Sequence, residues 1–314
     1  MKALVLMAGL TFGAACGAEI RIGIVGTDTS HVPEFTRLLN DAAAPGHVPG
    51  GRVVAAYPGG SDDLESSYTR VRKFAGEIRD KYGVEIADSI PALCARVDAV
   101  LIESVDGRKH LEQARAVIAA GKPFFVDKPL ASTLADAREI ARLADAARVP
   151  WFSASSLRFS SLAQMKAPRA DGYGVWGPSP FEPHHQLELS WYGIHPVELL
   201  YALMGPGCAE VSRISSEGSD AITGRWKDGR IGTVRGLRPY GPFGVVVYQG
   251  QKTVASDPAK GHDVGYPPLV AKIMEFFRTG NPPVSNAETL EIFSFLDAAQ
   301  RSKEAGGAVT PLRP

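Results

Sequence analysis

The chain has 314 residues, 45% of them hydrophobic, with 34 basic and 34 acidic side chains. That is enough for two packed domains, and a formal charge of zero excludes the basic footprint of a nucleic-acid or anionic-membrane binder. A small neutral ligand suits this balance better than a polyanion.

Residues 1–18 stand apart from the rest of the chain. Met1-Lys2 leads into an apolar run from Ala3 to Ala15, then Cys16-Gly17-Ala18 ahead of Glu19. A basic start, a short apolar centre and small residues at its end describe a secretory signal, too short to span a bilayer. Cleavage after Ala18 is the first expectation and lipid attachment at Cys16 the second; a misassigned start before a cytoplasmic protein is the alternative. No transmembrane span is expected elsewhere. Cys94 and Cys208 are far apart and lack metal-ligand spacing, so a disulfide between them has no support in the sequence.

Glu19 to Val25 reads as an apolar strand running into Gly26-Thr27-Asp28-Thr29-Ser30-His31 and then a helix with Phe35, Leu38 and Leu39 on one face. Strand, tight turn and helix open a dinucleotide-binding unit. Of G-x-G-x-x-G only Gly26 is present, with Asp28 at the second position and His31 at the third. A carboxylate there repels phosphate and could itself cap the free amides of the helix, filling the anion site from within. A second strand, Arg52 to Tyr57, ends on Pro58-Gly59-Gly60 rather than on the acid that holds an adenosine ribose, and Asp62 and Asp63 come later in a loop.

A helix at about Leu64 to Tyr82, a short strand Val84 to Ala87, a helix opened by Ser89-Ile90-Pro91, a strand Ala99 to Glu103 and a helix Leu111 to Ala120 succeed one another in alternation. Strand Pro123 to Val126, helix Leu134 to Ala147 and strand Val149 to Ala154 complete the pattern, which implies a parallel sheet with right-handed crossovers. The strand at Phe124-Phe125-Val126 ends on Asp127-Lys128-Pro129. Ligands are worked on at the carboxyl ends of such strands, and Pro129 stiffens the tip that carries Lys128.

After Ser155 the texture changes to Pro, Gly and aromatics and then to strands: Leu187 to Ser190, Val211 to Ser216, Ala221 to Lys227, a turn at Asp228-Gly229, Ile231 to Gly236 and Val245 to Tyr248. Helices at about Pro268 to Thr279 and Ala287 to Ala305 finish the chain. The expected fold is therefore α/β, a Rossmann-like doubly wound parallel sheet at 19–155 succeeded by an α+β domain with a mainly antiparallel sheet at 156–314. Within the second part, Trp191-Tyr192-Gly193-Ile194-His195-Pro196 places His195 at a helix mouth, with Pro196 at the first helical position. The positive helix end would keep its imidazole neutral, as a general base requires. His184-His185 is adjacent spacing, read as a loop feature; no metal set is foreseen.

With these pieces placed, the chain resembles the glucose–fructose oxidoreductase, inositol dehydrogenase and rhizopine-catabolism superfamily (Gfo/Idh/MocA). The carrier is the run from Ala120 to Phe159, AGKPFFVDKPLASTLADAREIARLADAARVPWFSASSLRF, together with Trp191-x-Gly193-x-His195. The resemblance implies NAD or NADP at Gly26, Thr27, Asp28, Thr29, Ser30, Asp127 and Pro129. It also implies catalytic roles for Lys128 and His195 and a sugar or polyol held near His110, Trp191 and Tyr192. Trp191 stands where relatives have aspartate, Asp127 where they have glutamate, and Glu103-Ser104-Val105 where they have Thr-Pro-Asn. Relatives transfer hydride between a sugar-like alcohol and NAD(P), some transiently while cleaving glycosides, and often pair through the outer face of the second sheet. Two readings stay open on the sequence: an exported NAD(P)-dependent oxidoreductase, and a cofactor-free carbohydrate-binding or non-redox protein on the same fold.

Overall fold

The computed structural model describes residues 19–313 except 258 and 260; the signal segment at 1–18 lies outside the described residues. The first lobe alternates as its hydrophobic pattern requires. Its elements are β1 (Ile20–Val25), α1 (His31–Asn40), β2 (Gly51–Tyr57), α2 (Glu65–Tyr68), α3 (Val71–Tyr82), β3 (Glu85–Ile86) and α4 (Ile90–Cys94), then β4 (Ala99–Ile102), α5 (His110–Ala119), β5 (Phe124–Val126), α6 (Leu134–Ala147) and β6 (Trp151–Ser153). The six strands form one parallel sheet in the order β3-β2-β1-β4-β5-β6. β4 and β5 are buried along their whole length, which is why their sequences are continuous apolar runs. The tips of β1, β4 and β5 thus meet at the middle of the sheet, at the reversal of strand order where ligands collect.

The single helix expected from Leu64 to Tyr82 is two, with a break at Thr69 and Arg70. The helices of the first lobe end as their sequences suggest: α3 stops at Gly83 in the left-handed region, and α6 starts on Thr133, whose side chain accepts from Asp136 N.

The second lobe contains β7 (Gly172–Pro178), α7 (Glu188–Trp191), α8 (Ile194–Met204), β8 (Cys208–Ser216), β9 (Ser219–Trp226), β10 (Ile231–Leu237), β11 (Gly244–Gln249) and β12 (Lys252–Ala255), then α9 (Pro267–Thr279), α10 (Asn286–Glu304) and β13 (Thr310–Pro311). Seven strands run β12-β11-β7-β10-β9-β8-β13, all pairs antiparallel except β7 with β10. The sheet is therefore wider than the sequence pattern suggests. Leu187 to Ser190, expected as a strand, instead leads into the short helix α7, because a two-residue alternation of leucines is as compatible with one helical turn as with a strand. β7 was not foreseen; its glycines allow close contact, since a Cβ on Gly172 would lie 2.1 Å from Ile231 O.

The lobes share a core. Val126 and Trp151 of the first sheet lie in one buried cluster with Leu157, Ile194, Leu199 and Phe295 of the second lobe. α9 returns to the first sheet, where Leu269, Ile273 and Met274 pack with Ile22, Val53 and Phe35. Cys94 and Cys208 are buried and free.

Candidate functional site

A cavity of about 500 Å³ opens between the lobes, lined by Thr29, Ser30 and His31 at the start of α1, Lys128 after β5, Trp191, Tyr192 and His195 around α7 and α8, and Tyr240, Phe243 and Tyr266. It thus gathers Lys128, His195, Trp191, Tyr192, Thr29 and Ser30 from the residues singled out in the sequence. Gly26, Thr27, Asp28, His110, Asp127 and Pro129 lie behind its wall.

Lys128 sits on a cis peptide to Pro129, and its ammonium lies 5.4 Å from the centroid of the Tyr192 ring. Burial lowers its pKa, against the carboxylates of Asp127 and Glu103, which raise it. The same Tyr192 ring stands edge-on to His195 at 4.9 Å, and its hydroxyl meets that of Tyr240 at 2.8 Å. Tyrosine therefore joins the two candidate catalytic groups physically.

His195 is the second residue of α8, and Pro196 the third, not the first. Its imidazole is 8% exposed, and Nδ1 lies 2.7 Å from the hydroxyl of Ser155. Burial holds its pKa well below the ordinary histidine value, helped by the positive Lys128. The ring is thus neutral because it is enclosed beside a cation. Ser155 Oγ also accepts from Leu157 N. Its hydroxyl can turn to donate to Nδ1 or accept from it, so Nε2 can present either a proton or a lone pair.

His110, expected near substrate, does not reach the cavity. It is fully buried, with Nδ1 2.8 Å from Pro129 O and Nε2 2.7 Å from Ser104 O. The imidazole clamps the β4 and β5 tips together.

The β1–α1 turn is built differently from a phosphate cradle. Gly26, at φ +89°, packs so tightly that a Cβ would lie 2.2 Å from Ser104 Oγ. Its amide donates to Tyr57 O at 2.9 Å, and that of Thr27 to Gly59 O at 3.3 Å. Thr27 Oγ1 donates to Val71 O, and Thr29 Oγ1 accepts from His31 N at 2.8 Å. Asp28 does not cap α1. Its carboxylate accepts from Ser67 Oγ at 2.6 Å and from Val105 N at 2.9 Å, tying the turn to α2 and to the β4 tip. Burial pushes its carboxyl up to about 6, with the hydrogen bonds opposing.

Beside it, Asp106 is bound by Ser61 and Arg108, while Arg108 also reaches Asp63. Burial pushes Asp106 upward, but His185, Arg108 and Ser61 outweigh it and hold the carboxyl far below the usual range. His185 is more than a loop feature: it is buried between Ser190 Oγ, 2.9 Å from Nδ1, and Asp106 Oδ1, 3.3 Å from Nε2.

His31, at the third glycine position, projects toward the β5 tip, where Nδ1 lies 2.7 Å from Asp127 Oδ2. Tyr266 packs against its ring at 4.6 Å. Glu103, after β4, is fully buried, and burial with the Asp127 charge pushes its carboxyl well above the usual range. Burial pushes Asp127 up, but His31 and Lys128 outweigh it and lower it. In the sequence, Glu103 is marked only as an acidic strand tip and His31 only as a lost glycine.

A nicotinamide dinucleotide laid on this turn needs free turn amides, small residues at the second and third glycine positions and an acid after β2. Here the amides of Gly26 and Thr27 are engaged, Asp28 and His31 fill the two positions, and Pro58-Gly59-Gly60 folds over the turn. The residues present do not fit a dinucleotide in that pose.

Residues 20–155 match the family model described as "Oxidoreductase family, NAD-binding Rossmann fold" (GFO_IDH_MocA). That match places the first lobe in the Gfo/Idh/MocA superfamily. The chain is similar to an inositol 2-dehydrogenase of Paracoccus denitrificans (strain Pd 1222), 37% identical over 130 residues. That match covers 41% of this chain and only 34% of the relative. Among solved structures, the myo-inositol 2-dehydrogenase of Lactobacillus plantarum superposes with a TM-score of 0.74 at 15% identity, over 94% of this chain and 100% of that one. GenD2 from gentamicin A biosynthesis, solved in complex with NAD, gives 0.76 at 15% identity over 98% and 100%. At such identities the superpositions establish the fold, and with it the parallel sheet and the second, mainly antiparallel sheet. No helix among the described residues is long and apolar enough to cross a membrane.

Proposed function

We propose that this chain binds a sugar or polyol in the cavity between the lobes and transfers a proton at one of its hydroxyl groups, without a dinucleotide lying on the β1–α1 turn. The observation that carries the reading is the convergence of Lys128 and His195 on one cavity of about 500 Å³, across the Tyr192 ring. That volume suits a small ligand. Trp191 and Tyr192 offer aromatic faces for a sugar ring, and the neutral His195, steadied by Ser155, accepts the hydroxyl proton. The Lys128 ammonium then donates a hydrogen bond to the oxygen that becomes negative.

The second reading is hydride exchange between the same alcohol and NAD or NADP. The family match favours it; the filled turn opposes it. Calorimetric titration with a panel of inositol isomers and monosaccharides, and separately with NADH and NADPH, decides between them. Polyol or sugar binding that is lost in Lys128→Ala, with no uptake of either nucleotide at millimolar concentration, is expected. Nucleotide uptake at micromolar concentration refutes the first reading, and no sugar or polyol binding refutes both.

Residues 1–18 support export, checked by fractionating an expressing bacterium for protein that begins at Glu19. Exposed Ile214, Ile231 and Tyr248 on the outer face of the second sheet support pairing of copies through that face, checked by light scattering.

A further inference from the structure

His31, Glu103 and Asp127 are far apart in sequence, but they meet where the tips of β1, β4 and β5 come together. One ligand atom from each lies within 4.8 Å of the other two. Glu103 is 0% exposed and neither of its carboxylate oxygens has a hydrogen-bond partner; Asp127 is 2% exposed and its Oδ1 has none. His31 Nδ1 stands 2.7 Å from Asp127 Oδ2 but without hydrogen-bond alignment. Lys128 does not relieve the cluster by contact, because its ammonium lies over the Tyr192 ring and makes no ion pair among the described residues.

Carboxylates removed from water are paired, neutralised or bound to a metal. Glu103 has no exposed surface, so bulk solvent does not reach its carboxylate. Donor atoms of three residues converge on one point, where His31 and Asp127 pair and Glu103 is left without a partner, an arrangement open to a shared centre.

We propose that His31, Glu103 and Asp127 bind one divalent first-row cation, zinc or manganese, at the floor of the cavity. The donor set decides the class of ion: magnesium and calcium take oxygen ligands, whereas one imidazole with two carboxylates suits zinc or manganese. Two carboxylates match the charge of a divalent ion. Three protein ligands also leave a coordination position open, and His31 lines the cavity, so that position faces the ligand space. A hydroxyl or water there would be polarised beside Lys128. Ring contacts with Tyr266 at 4.6 Å and Phe35 at 5.5 Å hold the imidazole in place. The proposal goes beyond the sugar or polyol reading and stands without it, because the ligands are distinct from Lys128 and His195.

The test uses the full chain stripped with a chelator and titrated with Zn²⁺ and with Mn²⁺ in the absence of any sugar. Elemental analysis gives the stoichiometry, and the visible absorption of bound Co²⁺ reports the coordination. One ion per chain is expected, with affinity about 100-fold weaker in Glu103→Gln and in Asp127→Asn and a changed Co²⁺ spectrum. Circular dichroism and urea midpoints of both variants separate loss of the site from loss of the fold. Glu103→Gln keeps the shape of the side chain and removes only its capacity to carry a buried charge, so it should fold at least as well as the wild type. No binding at millimolar metal, or binding undiminished in both folded variants, overturns the proposal. Sugar titrations read the functional reading separately.

Discussion

Asp28 allows a quantitative test of how the turn is closed. Its carboxyl rises from an ordinary 3.8 to about 6, first because of burial and against hydrogen bonds from Ser67 and Val105. Two units of difference between folded and unfolded states correspond to about 3 kcal/mol. The direction of the shift sets the sign. The folded state binds this proton more tightly, so the contribution of Asp28 is fully present below the unfolded value and is lost as pH rises through about 6. Asp28→Asn keeps the shape: its amide oxygen still accepts from Val105 N, and its NH₂ can donate to Ser67 Oγ. The variant carries no ionisable group, so its advantage over the wild type should grow by about 3 kcal/mol between about pH 4 and pH 7. Urea unfolding at several pH values measures this, provided the denaturant slope is unchanged. Parallel stability curves, or a variant that loses ground as pH rises, would refute the account of Asp28 as a buried acid disfavoured when charged.

Two further substitutions separate structure from chemistry. His110→Ala removes the ring that joins the strand tips; burial favours its neutral form, which donates to one carbonyl at a time, so urea midpoints should show a loss of about 1–3 kcal/mol from the one buried carbonyl left without a donor. Lys128→Met should abolish the chemistry in the cavity while raising the melting temperature near neutral pH, because burial disfavours its charged form. That gain should shrink toward alkaline pH, where the wild-type amine is neutral in both folded and unfolded states.

The parallel half was legible because its strands are buried on both faces and its helices amphipathic, two periods that hardly overlap. α6 starts and ends where Thr133 and the run to Ala147 place it. β7 was not legible because three glycines occupy seven positions, and those glycines answer to neighbours remote in sequence: Gly174 faces Val246 and Gly177 faces Phe243. The approach of Lys128 and His195 could be foreseen because each sits at the end of an element, and ends are marked by proline and glycine. The failure of Asp28 as a helix cap could not, since its partners Ser67 and Val105 lie on other elements. A cap is a local inference, whereas a tie across three loops is a tertiary one. His110 failed for the same reason, as its acceptors come from two strand tips brought together only by the fold.

The closed turn also restricts the direction from which a ligand reaches the site. The tips of β1 and β2 are sealed by Tyr57 O, Gly59 O, Asp28 and the Asp106 network, all of them the chain's own groups. The tips of β4 and β5 are not sealed in this way: Glu103 and Asp127 keep oxygens without partners, and Lys128 faces the cavity. Polar capacity is therefore concentrated on one side of the strand-order reversal, toward α8 and the second sheet. A ligand that reached deeper into the β1–α1 turn than Thr29 and Ser30, which line the cavity, would have to displace hydrogen bonds and expose Asp28, a buried acid. One that enters from the second lobe meets Tyr240, Tyr192 and His195 first and ends at Lys128, without breaking a bond of the turn. The β1–α1 turn carries Asp28 and His31 at its second and third glycine positions, whereas the oxygens without partners lie at the β4 and β5 tips, next in the chain to Lys128, which lines the cavity.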